Sequence, residues 1–493
     1  MKKILPFLGI ILAGSIGPLI FVLLERRNGI WGFPLDDAWI HQTYARSLAN
    51  GQGWSYAGGP PSAGSTSPLW TLLQIPSFWF RLSPILWAYG AGVLFLILNA
   101  VFIMLWVRTL NKAAGFFALL FTIGEWHLVW ASLSGMETLF FCCWVSFMIY
   151  LFFPLKFPRS EKFAVPGVLF LLGIFSGIGI WIRPEALLLL MYACLAVVIQ
   201  CYPIWKWKVG AFLAGCLLPA VLYFVFNFGF SGYIFPNTLY VKTAEYSILT
   251  SQNMFLRFFQ PWIPLLAGPL AALVPFLAAG ILLLLRNKKA LHLLPFLWAL
   301  NHILLYAIQL PATYQHGRYF LPVLPVLIGY GVIGYFSWKE KIMHCFGARV
   351  VLRALWASAL LLTGIFLFIG AGQFSGDVKI IQTDMVETSQ WIRENTSPGS
   401  VIAAHDIGAL GFWGNRPMVD LGGVTDLDAL PLLSGKIRLR SYLSLRQADY
   451  LMTFPDFYPN DLGGCHPVYE AEDISPLSTE RMLLFDWRDG CGK

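Results

Sequence analysis

The chain has 493 residues, of which 57% are hydrophobic and only 12% charged, with a mean hydropathy of +0.65. Soluble globular proteins carry about 25% charged residues, so this composition cannot dress a water-facing surface and excludes a soluble enzyme, a disordered chain and a disulfide-stapled miniprotein. The formal net charge of +8 is unevenly placed: residues 1–372 hold 24 Lys/Arg against 9 Asp/Glu, and residues 373–493 hold 10 against 17. The basic excess belongs to a membrane part and is no nucleic-acid footprint, so no nucleic-acid partner is expected.

A membrane helix needs about 20 apolar residues to cross about 30 Å of hydrocarbon. Eleven stretches qualify, near 4–24, 84–107, 113–131, 138–154, 164–182, 186–201, 209–228, 263–285, 291–309, 320–336 and 354–372. The first follows Met1-Lys2-Lys3 and lacks a small-residue cleavage site, so it reads as a retained anchor. With the N-terminus inside, 16 of the 24 basic residues fall in inside segments: Lys2 and Lys3, Arg108 and Lys112, Lys156 to Lys162, Lys206 and Lys208, Arg286 to Lys289, and Lys339 to Arg353. An odd number of spans then places the tail outside. The expected class is an α-helical polytopic protein of the plasma (inner) membrane, with about 11 transmembrane helices over residues 1–372 and an extracytoplasmic α/β domain over 373–493.

The acidic residues of the membrane part run the other way. Glu25, Asp36, Asp37, Glu137, Glu185 and Glu245 lie in or beside outer loops, and Glu125 lies in the outer half of the third span. Ionisable groups at membrane depth are costly and mark function, so the chemistry is expected at the outer face.

The first outer loop, 25–83, is the richest stretch. After Pro34, Ile40, Tyr44 and Leu48 recur at four-residue spacing, with Gln42, Arg46 and Asn50 offset. This predicts an amphipathic helix of about three turns, flat on the membrane surface or against the bundle. Gly51 and Gly53 end it, a turn-rich loop follows from Gly58 to Pro68, and Leu69 to Phe80 predicts a second apolar surface helix. Asp36 and Asp37 at the start read two ways. They are good helix-capping residues. Two adjacent carboxylates also repel unless a cation, a sugar hydroxyl or a proton lies between them, so a divalent metal ion is one way to hold the pair. A carboxylate there is also suited to take a proton from an attacking hydroxyl. His41, one turn on, reads equally as a structural partner or a ligand.

The acidic pair, the helix Tyr44-Ala45-Arg46-Ser47-Leu48-Ala49 and Thr66-Ser67-Pro68-Leu69-Trp70 resemble the C-type (GT-C) membrane glycosyltransferases. The likeness is to the polyprenyl-phosphate-sugar-dependent branch, with bacterial cell-wall arabinofuranosyltransferases and protein O-mannosyltransferase relatives. It extends through Ser134-Gly135-Met136-Glu137-Thr138, Arg183-Pro184-Glu185, Gly232 to Lys242 and His316-Gly317-Arg318-Tyr319, covering most of 30–330. The resemblance implies that the acidic residue of the first outer loop is the catalytic base, which falls on Asp36 or Asp37. It also implies a polyprenyl-phosphate sugar donor and a glycan, lipid or protein acceptor.

A lipid-phosphate donor calls for converging cations. The candidates are Arg183, Lys242, His316 and Arg318, with Arg46 and Arg257 behind them. Arg183 reads equally as a salt-bridge partner of Glu185, His316 as a satisfied loop histidine, and Glu137 as a cap or a substrate ligand. In the tail, Asp377 to Glu394 predicts a helix, and Ser400–Ala404, Arg416–Leu421 and Ala448–Phe454 predict strands. Cys465 and Cys491 stand alone there and are expected to pair in an oxidising compartment. The functional expectation is an inverting transfer of a sugar from a polyprenyl phosphate to an envelope hydroxyl. A transporter or flippase of lipid-linked sugars is the alternative, disfavoured on sequence because there is no clear internal repeat and no broken span pair with charges near the midplane.

Overall fold

The computed structural model of the chain describes residues 5–153, 166–201, 206–287, 290–342, 346–472 and 481–491. Lys2, Lys3, Lys156, Arg159, Glu161, Lys162, Lys288, Lys289 and Cys345 lie outside the described residues. Among the described residues, six helices are long and apolar enough to cross a membrane: Leu8–Arg27, Pro84–Arg108, Trp207–Ser231, Leu291–Gln309, Tyr314–Glu340 and Phe346–Asn395. Two bent pairs raise this to eight, and three shorter apolar helices, Thr138–Phe152, Pro166–Trp181 and Ala186–Gln200, complete the bundle. Their outward faces are oily: Leu12, Leu217, Val225 and Leu361 are all more than half exposed, as lipid-facing residues are. The protein is an integral membrane protein built mainly of helices.

Two of the expected spans are bent pairs. Lys112–Ile123 turns by 57° into Trp126–Ser132, and Met254–Leu266 turns by 116° into Leu270–Arg286. The two breaks meet. The Trp126 indole donates to the Ala267 carbonyl across 2.6 Å, and a Cβ on Gly268 would stand 2.6 Å from the buried Glu125 carboxylate. Glu125 in turn pairs with His127 at 2.7 Å. Elsewhere glycines let helices approach backbone to backbone, as membrane packing favours: a Cβ on Gly173 would meet the Phe212 carbonyl at 2.2 Å, and one on Gly334 the Phe276 carbonyl at 1.8 Å.

In the first outer loop the two expected helices form at Asp37–Ala49 and Pro68–Trp79. The first does not lie open on a surface. Its apolar Ile40 and Tyr44 are buried, and so is Gln42 on its polar side, because the second loop helix packs on it, with Gln74 bonded to Gln42, and the tail covers Trp39 through Phe412 and Trp413.

The tail is entered through one continuous helix, Phe346–Ile380, which runs past position 372 into a π-wound segment, Ile381–Glu387, and then Thr388–Asn395. Among the described residues five strands follow: β1 (Ile402–Ala404), β2 (Met418–Asp420), β3 (Tyr450–Thr453), β4 (Pro467–Glu470) and β5 (Leu483–Asp486). Their order is β2-β1-β3-β5-β4, with β1 parallel to β2 and β3, and β5 antiparallel to β3 and β4. Side chains alternate across a sheet, and here the alternation divides two cores. Ile402, Ala404, Met452 and Leu484 join the core that continues into the membrane bundle. Ala403, Val419, Leu451 and Phe485 face a separate core under Leu439–Leu445. The sheet is thus bonded to the bundle by burial. Cys465 and Cys491 are joined by a disulfide.

Candidate active site

Five segments converge on a cavity of about 490 Å³. Asp37 and His41 come from the first-loop helix. Glu137 comes from the turn before Thr138–Phe152, held in place by the Trp70 indole donating to the Gly135 carbonyl across 2.8 Å. Arg183 and Glu185 come from the bend between Pro166–Trp181 and Ala186–Gln200. Lys242 stands on a short helix, Asn237–Glu245. Arg318 follows Gln315, His316 and Gly317, all with positive φ of 54°, 57° and 66°. That left-handed turn, strained for the first two residues, swings the guanidinium inward.

The charges alternate around the cavity. Arg318 Nη2 donates to Asp37 Oδ2 across 2.6 Å and lies 3.2 Å from the Tyr319 hydroxyl. Lys242 Nζ stands 3.9 Å from the same Asp37 oxygen and donates to the Tyr319 hydroxyl across 3.0 Å. Deeper in, Glu137 lies 3.2 Å from Arg183 Nη1 and 3.4 Å from His41 Nε2, while His41 Nδ1 is 2.9 Å from the Thr71 hydroxyl. Arg183 also bonds Glu185 at 3.0 Å and the Tyr306 hydroxyl at 3.0 Å, and that hydroxyl donates to Glu185. The lining also includes the apolar Leu187, Leu188, Leu239, Leu305 and Leu310. A chamber lined by both ionic and oily side chains suits an amphiphile with an anionic head.

The electrostatics follow from these partners. Burial alone raises a carboxyl, yet Lys242 and Arg318 outweigh it and hold Asp37 well below the usual carboxylate range. Burial likewise works against the Glu137 charge, but the His41 hydrogen bond and Arg183 pull its carboxyl down to about 2. Both carboxylates are ionised in the resting site.

Asp36 has a different fate. Its Oδ2 accepts from the Gly408 amide at 2.6 Å and its Oδ1 from the Ala409 amide at 2.7 Å. It is buried, does not line the cavity and makes no capping bond to its own helix. Burial and the neighbouring Asp406 push it up to about 7 against the pull of the two amides. The repulsion expected between the paired carboxylates is relieved by sending one to backbone amides and the other to Arg318 and Lys242.

Of the other expected residues, Glu137, Arg183, Lys242 and His41 meet Asp37 and Arg318 in the cavity. His316 does not. It bonds Asp377 at 2.7 Å, where the Trp130 indole also donates, and packs edge-on between Trp126 and Trp130. The structure corrects its place: the turn that directs Arg318 inward sends His316 to the opposite side, onto the long tail helix. Arg46 and Arg257 also lie off the cavity lining. Tyr306 and Tyr319 were missed as site residues. Tyr319 adjoined Arg318 in the motif and was in view; Tyr306 sits inside an apolar span, where no pattern marks it.

A second, polar cavity of about 1110 Å³ lies between the first loop and the tail, lined by Arg46, Asn50, Asn237, Asp420, Asp428 and Arg446 among others. It abuts the first: Ser62, Asn237 and Thr425 line one, and Gly64, Thr238 and Val424 the other. Among the described residues no group of three or more His, Cys, Asp or Glu is placed to hold a metal ion.

Residues 377–484 match a family described as "Domain of unknown function (DUF8728)". A search of curated protein sequences finds no match. Solved structures do match in fold. ArnT from Cupriavidus metallidurans bound to undecaprenyl phosphate superposes with a TM-score of 0.61 at 14% identity, covering 97% of each chain. The oligosaccharyltransferase of Archaeoglobus fulgidus in the apo form gives 0.54 at 12% identity, covering 91% of this chain and 70% of its own. The same enzyme tethered with an acceptor peptide gives 0.52 at 13%, covering 96% and 74%. At these identities the likeness establishes a shared fold.

Proposed function

We propose that the chain is an inverting membrane glycosyltransferase that moves a sugar from a polyprenyl monophosphate to an extracytoplasmic hydroxyl of an envelope glycan, lipid or protein. The reading includes eleven spans, an inside N-terminus, residence in the plasma (inner) membrane, and a site and tail outside. The observation that carries it is the Asp37–Arg318 pair in a cavity lined by both ionic and oily side chains. The undecaprenyl phosphate bound by the C. metallidurans relative and the acceptor peptide tethered to the A. fulgidus relative support the two substrate classes.

The donor's lipid lies along the lining leucines and its phosphate meets Arg318 and Lys242. As those cations turn to the phosphate, Asp37 loses the partners that depress its proton affinity and becomes a better base. The acceptor oxygen attacks the anomeric carbon from the face opposite the phosphate, its proton passes to Asp37, and the carbon–phosphate-oxygen bond breaks. The lipid phosphate leaves with the electron pair, stabilised by the two cations. Glu137, Arg183, His41 and Glu185 present donors and acceptors for sugar hydroxyls.

The test is purified protein in vesicles with labelled polyprenyl-phosphate sugar and envelope acceptor. Label on acceptor with free lipid phosphate supports transfer. The two broken spans meeting at Glu125 favour a second reading, transport of the lipid-linked sugar; intact donor translocated without release of lipid phosphate would decide for it.

A further inference from the structure

The first-loop helix and the tail grip each other at two points. At one end, Asp36 accepts from the Gly408 and Ala409 amides at 2.6 and 2.7 Å. At the other, Arg46 Nη1 and Nη2 donate to the Phe412 and Gly411 carbonyls at 2.8 and 3.0 Å, and the guanidinium stacks on the Phe412 ring. Between them, Trp39 packs on Phe412 and Trp413 with centroids 4.8 and 5.4 Å apart, and the Tyr56 hydroxyl donates to the Ile407 carbonyl at 2.6 Å. One helical turn, 408–414, is thus held by an anion on its first amides and a cation on its last carbonyls, the polarity a helix dipole favours. The approach is tight enough to require glycine: a Cβ at position 408 would fall 2.0 Å from the Asp36 carbonyl oxygen.

From this geometry we infer that the C-terminal domain is a clamp for the acidic pair, with Asp36 a positioning residue that fixes the backbone from which Asp37 enters the cavity. The argument is local. Asp36 and Asp37 share a peptide plane, so anchoring one side chain on two backbone amides removes the main-chain freedom of the next. Only the side-chain torsions of Asp37 remain, and Arg318 sets those. The Asp36 side chain makes no capping bond to its own helix, so its carboxylate is committed to the tail. The sheet that carries the turn is itself buried against the bundle through Ile402, Ala404 and Met452, which gives the clamp a rigid base. This inference rests on Asp37 being the base, and it assigns a role to a domain of unknown function.

The test compares Asp36→Asn, Gly408→Ala and Arg46→Met in the full-length protein. Misplacement of a reacting group by about 1 Å costs about 100-fold, so each variant should lower kcat about 10- to 100-fold while the donor KM stays within about twofold. Asp36→Asn and Gly408→Ala should not be additive in the double variant, and Asp36→Glu should recover part of the loss. Amide exchange at 36–42 should rise in Gly408→Ala, a readout that needs no turnover. If the wild type releases no lipid phosphate, the proposed function fails while exchange still judges the clamp. Unchanged exchange at 36–42, or kcat within twofold of wild type in Gly408→Ala and Arg46→Met, overturns it.

Discussion

Arg318 donates through Nη2 to Asp37 across 2.6 Å, yet its Nη1 and Nε have no hydrogen-bond partner within the described protein. Arg318 lines the cavity, and its buried Nη1 and Nε leave the guanidinium with unspent donor capacity. An ionic hydrogen bond contributes about 1.5–3 kcal/mol, and lysine lacks the planar fork that engages a phosphate twice. Arg318→Lys is therefore expected to raise the donor KM about 10- to 100-fold. Steady-state kinetics with a labelled polyprenyl-phosphate sugar check it.

The Glu137 carboxyl is held at about 2, below its ordinary 4.5, so the folded protein prefers the ionised form. Its contribution to stability is complete above pH about 4.5 and is lost as the pH falls toward about 2. Glu137→Gln should flatten that acid slope while lowering the melting temperature at pH 7. Thermal unfolding in detergent across pH 2–7 measures both.

His316 serves packing. His316→Ala removes the bond to Asp377 and the contacts with Trp126 and Trp130, a loss of about 1–3 kcal/mol in stability. The donor KM should stay within about twofold. A donor KM raised tenfold at full folding would return His316 to the site.

The lining leucines should read chain length. Leu305→Asn exposes an amide to the lipid, at a cost of about 1.5 kcal/mol, and so should raise KM about tenfold for a full-length polyprenyl donor. A donor truncated to a short chain should be used equally by variant and wild type.

Much of this fold was legible. Within the described residues the apolar stretches fall on helices, two of them on bent pairs, with six to eight long enough to cross a membrane, and the three expected strands land on β1, β2 and β3. β4 and β5 were not read: Pro467–Glu470 is an exposed edge strand with no buried alternation, and Leu483–Asp486 is only four residues. The breaks at Gly124–Glu125 and Ala267–Gly268 were hidden because hydropathy averages over a kink. In the site, Asp37, Glu137, Arg183, Lys242 and Arg318 could be nominated because charge is conspicuous in an apolar chain. Their convergence depends on packing between segments far apart in the chain, and the divergence of Asp36 from Asp37 depends on the tail, whose turn at 408–414 lies some 370 residues downstream of the acidic pair. No local pattern carries that contact. His316 misled because its motif neighbour Arg318 is in the cavity, and only the left-handed turn separates them.

The most direct measurement is sugar release from labelled polyprenyl-phosphate donor by Asp37→Asn and Asp36→Asn, each checked for membrane level and donor binding. General-base catalysis contributes about 100- to 10,000-fold. Asp37→Asn should lose at least the lower figure while still binding donor, and Asp36→Asn should keep a measurable rate. Wild-type turnover in Asp37→Asn, with only Asp36→Asn inactive, would contradict the account.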